Sequence, residues 1–256
     1  MKKALSILLM FLVSVSFAVS NSAEEYYNSG NKKFQTGDFE GAIRDYDRAI
    51  RMKANFAEAF VNRGAAKIES GHYAEALRDY NKAIKLKTDF FEAYLNRATA
   101  KINVDDYKGA IQDYNRAIQI KPQSIEARFN RGVAKAELSD YRGAIADYDK
   151  AIEIKADYAD AYNNRAHSKQ ELQDYSGAID DFNKLIEIQP ENGKAYADRG
   201  VAKHLSKDTE GGCMDLSKAG ELGYFKAYSL IQKHCVVRKK WFCSSNSNSN
   251  TKKSRY

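Results

Sequence analysis

Apolar residues recur along this chain at helical spacing, in two phases separated by a short break. In one stretch Phe60, Gly64 and Ile68 follow the spacing of a single helix face. Gly71 and His72 interrupt the pattern. Tyr73, Ala76, Leu77, Tyr80, Ala83 and Ile84 then resume it. Two amphipathic helices of about 14 residues are predicted, each too short to be stable alone in water. The whole motif returns every 34 residues without a gap, at 23–56, 57–90, 91–124, 125–158, 159–192 and 193–226, the last copy being degenerate. Stacked copies must therefore supply the stability that single helices lack.

Within each copy, small and aromatic residues alternate at fixed positions. Position 8 is Gly30, Gly64, Ala98, Gly132, Ala166 and Gly200, and position 20 is Ala42, Ala76, Ala110, Ala144, Ala178 and Gly212. Small side chains at both sites let the two helices of one repeat approach closely. Position 24 supplies an aromatic filler (Tyr46, Tyr80, Tyr114, Tyr148, Phe182), and position 17 another (Phe39, Tyr73, Tyr107, Tyr141, Tyr175). Both stripes are expected in the core rather than in a ligand cage.

This order of aromatic, Gly/Ala, aromatic, Ala, aromatic and Ala over 34 residues resembles the tetratricopeptide repeat, over residues 23–226. The chain departs from the family pattern in three ways. Position 4 is Tyr, Phe or Arg in place of Trp, Pro occupies position 32 only at Pro122 and Pro190, and position 7 is Arg in place of Leu. The resemblance implies an all-α, right-handed superhelical solenoid of six helix pairs, with residues 227–236 as a capping helix. It also implies that a partner's peptide or helix binds the concave face. In the family, positions 2, 5, 9, 12 and 13 tend to line that face. The candidate groove residues are therefore Tyr27, Val61, Leu95 and Phe129 at position 5, Phe34, Ile68 and Ile102 at position 12, and Glu58, Glu92 and Glu126 at position 2. The last two repeats are more polar. Asn recurs at position 6, but the cations of a carboxylate clamp are absent, which argues against a chaperone adaptor.

The position-7 arginines, Arg63, Arg97, Arg131, Arg165 and Arg199, fall on a face the family buries, and an unpaired buried guanidinium is costly. Position 23 is always Asp: Asp45, Asp79, Asp113, Asp147, Asp181 and Asp215. The first repeat has Asp45 but carries Ser29 at position 7. Each Asp is therefore expected to pair with the Arg of the next repeat, Asp45–Arg63, Asp79–Arg97, Asp113–Arg131, Asp147–Arg165 and Asp181–Arg199, with Asp215 facing Lys233. Lys at position 11, one turn after the Arg, is placed to share the same Asp. The ladder reads as a device that fixes stacking register.

The ends of the chain differ from the repeats. A basic start and the 16-residue apolar run from Ala4 to Val19, followed by small residues, have the layout of a signal peptide over 1–20, cleaved after Ala18, Ser20 or Ala23. A retained anchor is the alternative. The run is short against the roughly 20 residues a membrane-spanning helix needs. A secreted or periplasmic protein is expected. The formal net charge of +7 misleads: Lys2, Lys3 and the seven Lys or Arg from Lys233 onward exceed it, leaving the repeats slightly acidic. The basic segment through residue 243 and the polar tail 244–256, expected to be disordered, carry the alternative reading, a surface-associating protein that docks to an anionic membrane or nucleic acid. Nucleic acid is not the expected partner.

The three cysteines, Cys213, Cys235 and Cys243, sit together near the C-terminus. The segment from Gly211 to Cys235 is similar to the end of many secreted bacterial tetratricopeptide proteins, in which a Cys pair brackets the last helices. Connectivity is not deducible from sequence. Cys213–Cys235 is the preferred pairing, with Cys235–Cys243 as its rival. His204, His234 and these cysteines lack the spacing of a metal site, and no catalytic motif or phosphate loop appears. No cofactor, metal, small-molecule substrate or enzymatic activity is expected. The function expected is an extracytoplasmic scaffold for a protein or peptide partner.

Overall fold

The structure, a computed structural model, describes residues 22–235. The leader 1–20, the segment 236–242, Cys243 and the tail 244–256 lie outside the described residues. Thirteen helices and no strand occur among the described residues. They are α1 (Ala23–Gln35), α2 (Phe39–Met52), α3 (Ala57–Glu69), α4 (Tyr73–Leu86), α5 (Phe91–Ile102), α6 (Tyr107–Ile120), α7 (Ile125–Glu137), α8 (Tyr141–Ile154), α9 (Ala159–Glu171), α10 (Tyr175–Ile188), α11 (Gly193–Leu205), α12 (Thr209–Glu221) and α13 (Lys226–His234). Each 34-residue repeat is one helix pair, and α13 follows as the cap.

The chain divides into two compact halves, 1–122 and 123–256. In the first, α1–α2, α3–α4 and α5–α6 are the pairs, with α2 on α3 and α4 on α5. In the second, α7–α8, α9–α10 and α11–α12 are the pairs, with α8 on α9, α10 on α11 and α13 on α12. First helices of successive repeats also touch, as α1 does α3, α3 does α5 and α7 does α9. No helix among the described residues is long and apolar enough to cross a membrane.

The turn between the two helices of a repeat follows from local chemistry. Position 15 has positive φ in every repeat: Gly37, Gly71, Asp105, Ser139, Gln173 and Lys207. This left-handed residue ends the first helix, and the next amide returns to a carbonyl five residues back, as Asp38 N does to Lys33 O at 2.9 Å. The second helix then starts on an Asp whose carboxylate accepts from the backbone N–H three residues on, as Asp38 does from Gly41 at 2.9 Å and Asp140 does from Gly143 at 3.0 Å. His72 takes this place in the second repeat and makes no side-chain cap.

The core of each pair is the aromatic at position 24. Tyr46, Tyr80, Tyr114, Tyr148 and Phe182 are all but fully buried, beside fully buried Ala at position 20. The ring stands close against position 8 where that residue is Gly30, Gly64 or Gly132. A β-carbon on Gly64 would stand 2.7 Å from the Tyr80 ring, so the glycine is what lets α3 and α4 close together. The position-17 stripe departs from expectation. It opens the second helix at the rim of the repeat, where Tyr73 is 37% exposed and Phe39, Tyr107, Tyr141 and Tyr175 are half-buried.

Candidate functional site

The Asp–Arg pairs are arranged differently from the sequence expectation. Each guanidinium forms a fork with the Asp of its own repeat. Arg63 Nε and Nη2 bind Asp79 at 2.9 and 2.5 Å, and Arg97 binds Asp113 at 2.8 and 2.5 Å. Arg131 with Asp147, Arg165 with Asp181 and Arg199 with Asp215 repeat the geometry. The pairings Asp45–Arg63, Asp79–Arg97, Asp113–Arg131, Asp147–Arg165 and Asp181–Arg199 are therefore wrong, and Asp215 does not face Lys233. The reason is steric. Positions 7 and 23 oppose each other across the tight contact of one helix pair, close enough for a bidentate bond.

The link between repeats runs through the third guanidinium nitrogen instead. Nη1 donates to position 25 of the preceding repeat: Arg63 to Asp47 at 2.6 Å, Arg97 to Asn81 at 2.6 Å, Arg165 to Asp149 at 2.5 Å and Arg199 to Asn183 at 2.8 Å. In the first repeat the hydroxyl of Ser29 stands in the place of the guanidinium and donates to Asp45 at 2.7 Å. Position 11 completes the cluster: Lys33, Lys67, Lys101, Lys135, Lys169 and Lys203 each reach the Asp of their own repeat at 2.6–2.9 Å. Burial works against the charge on Arg63, but Asp79 and Asp47 outweigh it and hold its pKa above the ordinary arginine value. Burial likewise opposes the charge on Asp45, and hydrogen bonds from Lys33 and Ser29 outweigh it. These residues pair with one another within and between the repeats.

The predicted groove residues are spread over three environments. Val61 and Leu95 are buried, Val61 in one core cluster with Phe60 and Tyr80, so they line no open surface. Tyr27 packs on Phe56 and Tyr46, and Phe129 on Tyr158 and Tyr148. Ile68 packs against the core and Ile102 is half-buried. Position 5 is thus taken up in core packing, against rings of its own repeat at Tyr27 and Phe129. Position 2 faces the end of its own repeat, where Glu92 binds Lys121 at 2.8 Å and Glu58 stands 3.8 Å from Lys87. Glu126 is exposed. Of the candidates, Phe34 alone is among the residues that line a cavity described below.

Open space lies one residue further round the first helices. A cavity of about 250 Å³ sits between α1 and α3, lined by Asn31, Phe34, Gln35, Tyr46, Asn62 and Ala65. Its counterpart of about 380 Å³ lies between α7 and α9, lined by Val133, Ala136, Glu137, Ser139, Tyr141, Tyr148, Asn164, His167, Ser168 and Glu171. The two share repeat positions 9, 12, 13 and 24, with 6 and 9 of the next repeat. Tyr46 forms the floor of the first: its hydroxyl donates to Asn31 at 2.8 Å. Burial and the nearby Tyr27 push that hydroxyl's pKa up to about 12, so it remains a donor. The Asn62 amide nitrogen donates to Asn31 Oδ1 at 2.9 Å and to the Tyr27 hydroxyl at 3.0 Å. Its amide is thereby oriented, with no further hydrogen bond to its carbonyl oxygen among the described residues. The recurrence of Asn at position 6 was the sequence signal for this wall.

At the C-terminal end, Cys213 on α12 and Cys235 after α13 are joined in a disulfide, their Cα atoms 5.9 Å apart. The His204 and His234 rings lie beside this link, 4.4 Å between centroids. Burial and its cationic neighbours hold the His234 pKa below the usual imidazole value.

Comparison with known proteins places this geometry. Family models described as tetratricopeptide repeat match residues 96–165 and 159–192, and one described as TPR repeat matches 30–71 and 66–101. Together the matches run from 30 to 192, well over half of the chain. No curated protein matches the chain in sequence. Among solved structures, that of MamA is 27% identical and superimposes with a TM-score of 0.61, covering 64% of this chain and 96% of MamA. That of YrrB, described as a TPR protein with an unusual peptide-binding site, is 23% identical with a TM-score of 0.61, covering 77% and 97%. A tetratricopeptide repeat protein from Parabacteroides merdae ATCC 43184 is 20% identical with a TM-score of 0.66, covering 84% and 94%. The likeness to the latter two establishes the fold alone.

Proposed function

The chain belongs to the tetratricopeptide repeat family, and from that membership we propose that it is an interaction scaffold whose first helices hold a partner's peptide. The observation that carries this reading is the recurrence of one cavity at equivalent repeat positions, between α1 and α3 and again between α7 and α9. A polypeptide repeats amide groups along its length. A surface that presents an Asn and an aromatic floor at the same repeat positions in two places meets that regularity better than it meets a compact metabolite. The likeness to YrrB, whose structure is described as containing a peptide-binding site, supports the same reading. The test uses a peptide selected from a random library for binding the chain. Ala65→Arg, which fills the first cavity, should weaken that peptide at least about tenfold while leaving the melting temperature within a few degrees. Unchanged affinity in both Ala65→Arg and Val133→Arg would remove the groove from the account.

We further propose that the scaffold works outside the cytoplasm. The apolar run Ala4–Val19 and the Cys213–Cys235 link support this, since disulfides persist in oxidising compartments. N-terminal sequencing of the protein recovered from its own cells should begin after Ala18, Ser20 or Ala23, and non-reduced peptide mapping should return Cys213 joined to Cys235. An intact Met1 together with free thiols on both cysteines would place the protein in the cytoplasm.

A further inference from the structure

The second helices of the first three repeats turn one face inward, through residues such as Asp45, Tyr46 and Ala49, and the opposite face to solvent. On α2 that outer face carries Arg44, Arg48 and Arg51. On α4 it carries Arg78, Lys82 and Lys85, in the same register. On α6 it carries Lys108 and Arg116. All eight side chains are exposed. The spacing i, i+4, i+7 sets them in a row about 10 Å long on each of α2 and α4. Arg48 touches Asp45 at 3.4 Å and Arg116 bonds the neutral Gln119 at 3.1 Å. The other six make no ion pair among the described residues. Glu40, one turn before Arg44, and Glu75, one turn before Arg78, are exposed acids at the edge of the array, and Glu75 stands 3.3 Å from Lys67.

The equivalent positions in the later repeats are built differently. Position 29, which is Arg51, Lys85 and Gln119 in repeats one to three, is Glu153, Glu187 and Glu221 in repeats four to six. Each of those acids neutralises the lysine one turn before it: Lys150–Glu153 and Lys184–Glu187 at 2.7 Å, and Lys218–Glu221 at 3.3 Å. Position 22 changes from Arg44, Arg78 and Gln112 to Ala146, Asp180 and Met214. The fold is the same in both sets, so the fold does not call for unpaired cations. Like charges one turn apart weaken a helix slightly. Their accumulation on one face of one half of the chain therefore requires a reason outside folding.

We propose that this face docks on an anionic phospholipid surface. An array of point charges spread over adjacent helices matches a plane of headgroups, each exposed Lys or Arg adding about fivefold to the affinity. Single-stranded nucleic acid is usually held in a groove with aromatic rings for its bases to stack on. Here the array lies on an outer face; Tyr73 is exposed at the start of α4, and the half-buried Tyr26 ring lies 5.4 Å under Arg48, where the cation covers it. The cavities between first helices lie on the other side of each repeat and stay open when this face is covered.

The test is co-sedimentation of the processed protein with phosphatidylcholine vesicles, with and without phosphatidylglycerol, at roughly 0.15 M salt. One variant combines Arg44→Gln, Arg51→Gln, Arg78→Gln, Lys82→Gln and Lys85→Gln. A second combines Lys150→Gln, Lys184→Gln and Lys218→Gln. Basic residues of the C-terminal tail are present in both and cancel in the comparison. The expected result is binding to anionic vesicles only, weakened at least about tenfold by the first set, within about twofold of the parent for the second, and lost at high salt. Helical circular dichroism checks folding, and Lys82→Glu with Lys85→Glu serves if the larger set unfolds. Equal binding to neutral vesicles, or equal loss in both variants, overturns the proposal. Tighter binding to an RNA or DNA oligonucleotide, lost in the first variant, overturns it in favour of a nucleic-acid surface.

Discussion

Asp113→Ala should destabilise the protein by about 3–5 kcal/mol, far more than the loss of any exposed ion pair. The Asp113 side chain is 5% exposed and answers two cations, the Arg97 fork at 2.5 and 2.8 Å and Lys101 at 2.8 Å. Removing it leaves a guanidinium and an ammonium, each less than one-fifth exposed, with no carboxylate between them. Asn81 still accepts from Arg97 Nη1, so the contact to the preceding repeat would hold one side of the cluster. Asp113→Asn keeps the shape and loses the charge, and a cost close to that of the Ala variant is expected. Arg97→Lys gives up the planar fork and should also be costly, although the charge is kept. The reference is Glu92→Gln, which breaks the exposed pair to Lys121 and should cost less than about 1 kcal/mol. Urea unfolding of the four variants checks the order. If Asp113→Ala falls as low as Glu92→Gln, the buried cluster does not hold the repeats together.

Tyr80→Ala is the second large effect, with an expected loss of about 3–5 kcal/mol. The ring is 1% exposed and belongs to a cluster with Phe60, Val61, Ala76, Ala83 and Phe90. It fills the space left by Gly64 on the facing helix, so truncation removes its contacts and leaves a cavity. Tyr80→Phe should be nearly neutral, because the ring rather than the hydroxyl makes the packing. In a linear array each repeat is supported only by its neighbours, so the loss should also lower cooperativity. The measurement is thermal unfolding followed by circular dichroism, read for both midpoint and steepness. A Tyr80→Phe cost as large as that of Tyr80→Ala would show that the hydroxyl, not the ring, is what matters.

The period of 34, the two helices per repeat and the terminal cap were all legible in the sequence, because the apolar spacing recurs without gaps. Pairing partners were not. Ser29 was misread: its hydroxyl binds Asp45 of its own repeat, and Arg63 reaches back to Asp47 and not to Asp45. The groove was misplaced by a small rotation. One residue on a helix is about 100°, enough to separate buried Val61 from Asn62 on the cavity wall. Apolar character pointed to position 5, where core packing uses it. Positions 9, 12 and 13, which the family resemblance also puts on the concave face, do line both cavities, whereas position 6 carries no hydrophobic pattern to announce it. The outer charges were legible only as composition, since a count of Lys and Arg does not say which of them meet a carboxylate.

Site-specific photo-cross-linking in the protein's own cells tests the central claim most directly. A benzophenone side chain at Gln35 or Glu137 sits at the cavities between first helices, and one at Lys184 sits on the outer face of α10. Adducts from Gln35 and Glu137 to the same partner polypeptide, abolished by a competing library-selected peptide and absent from Lys184, are the result expected. Protein adducts from Lys184 with none from Gln35 or Glu137 would contradict the account, because the partner would then be held by the backs of the repeats and not by the groove.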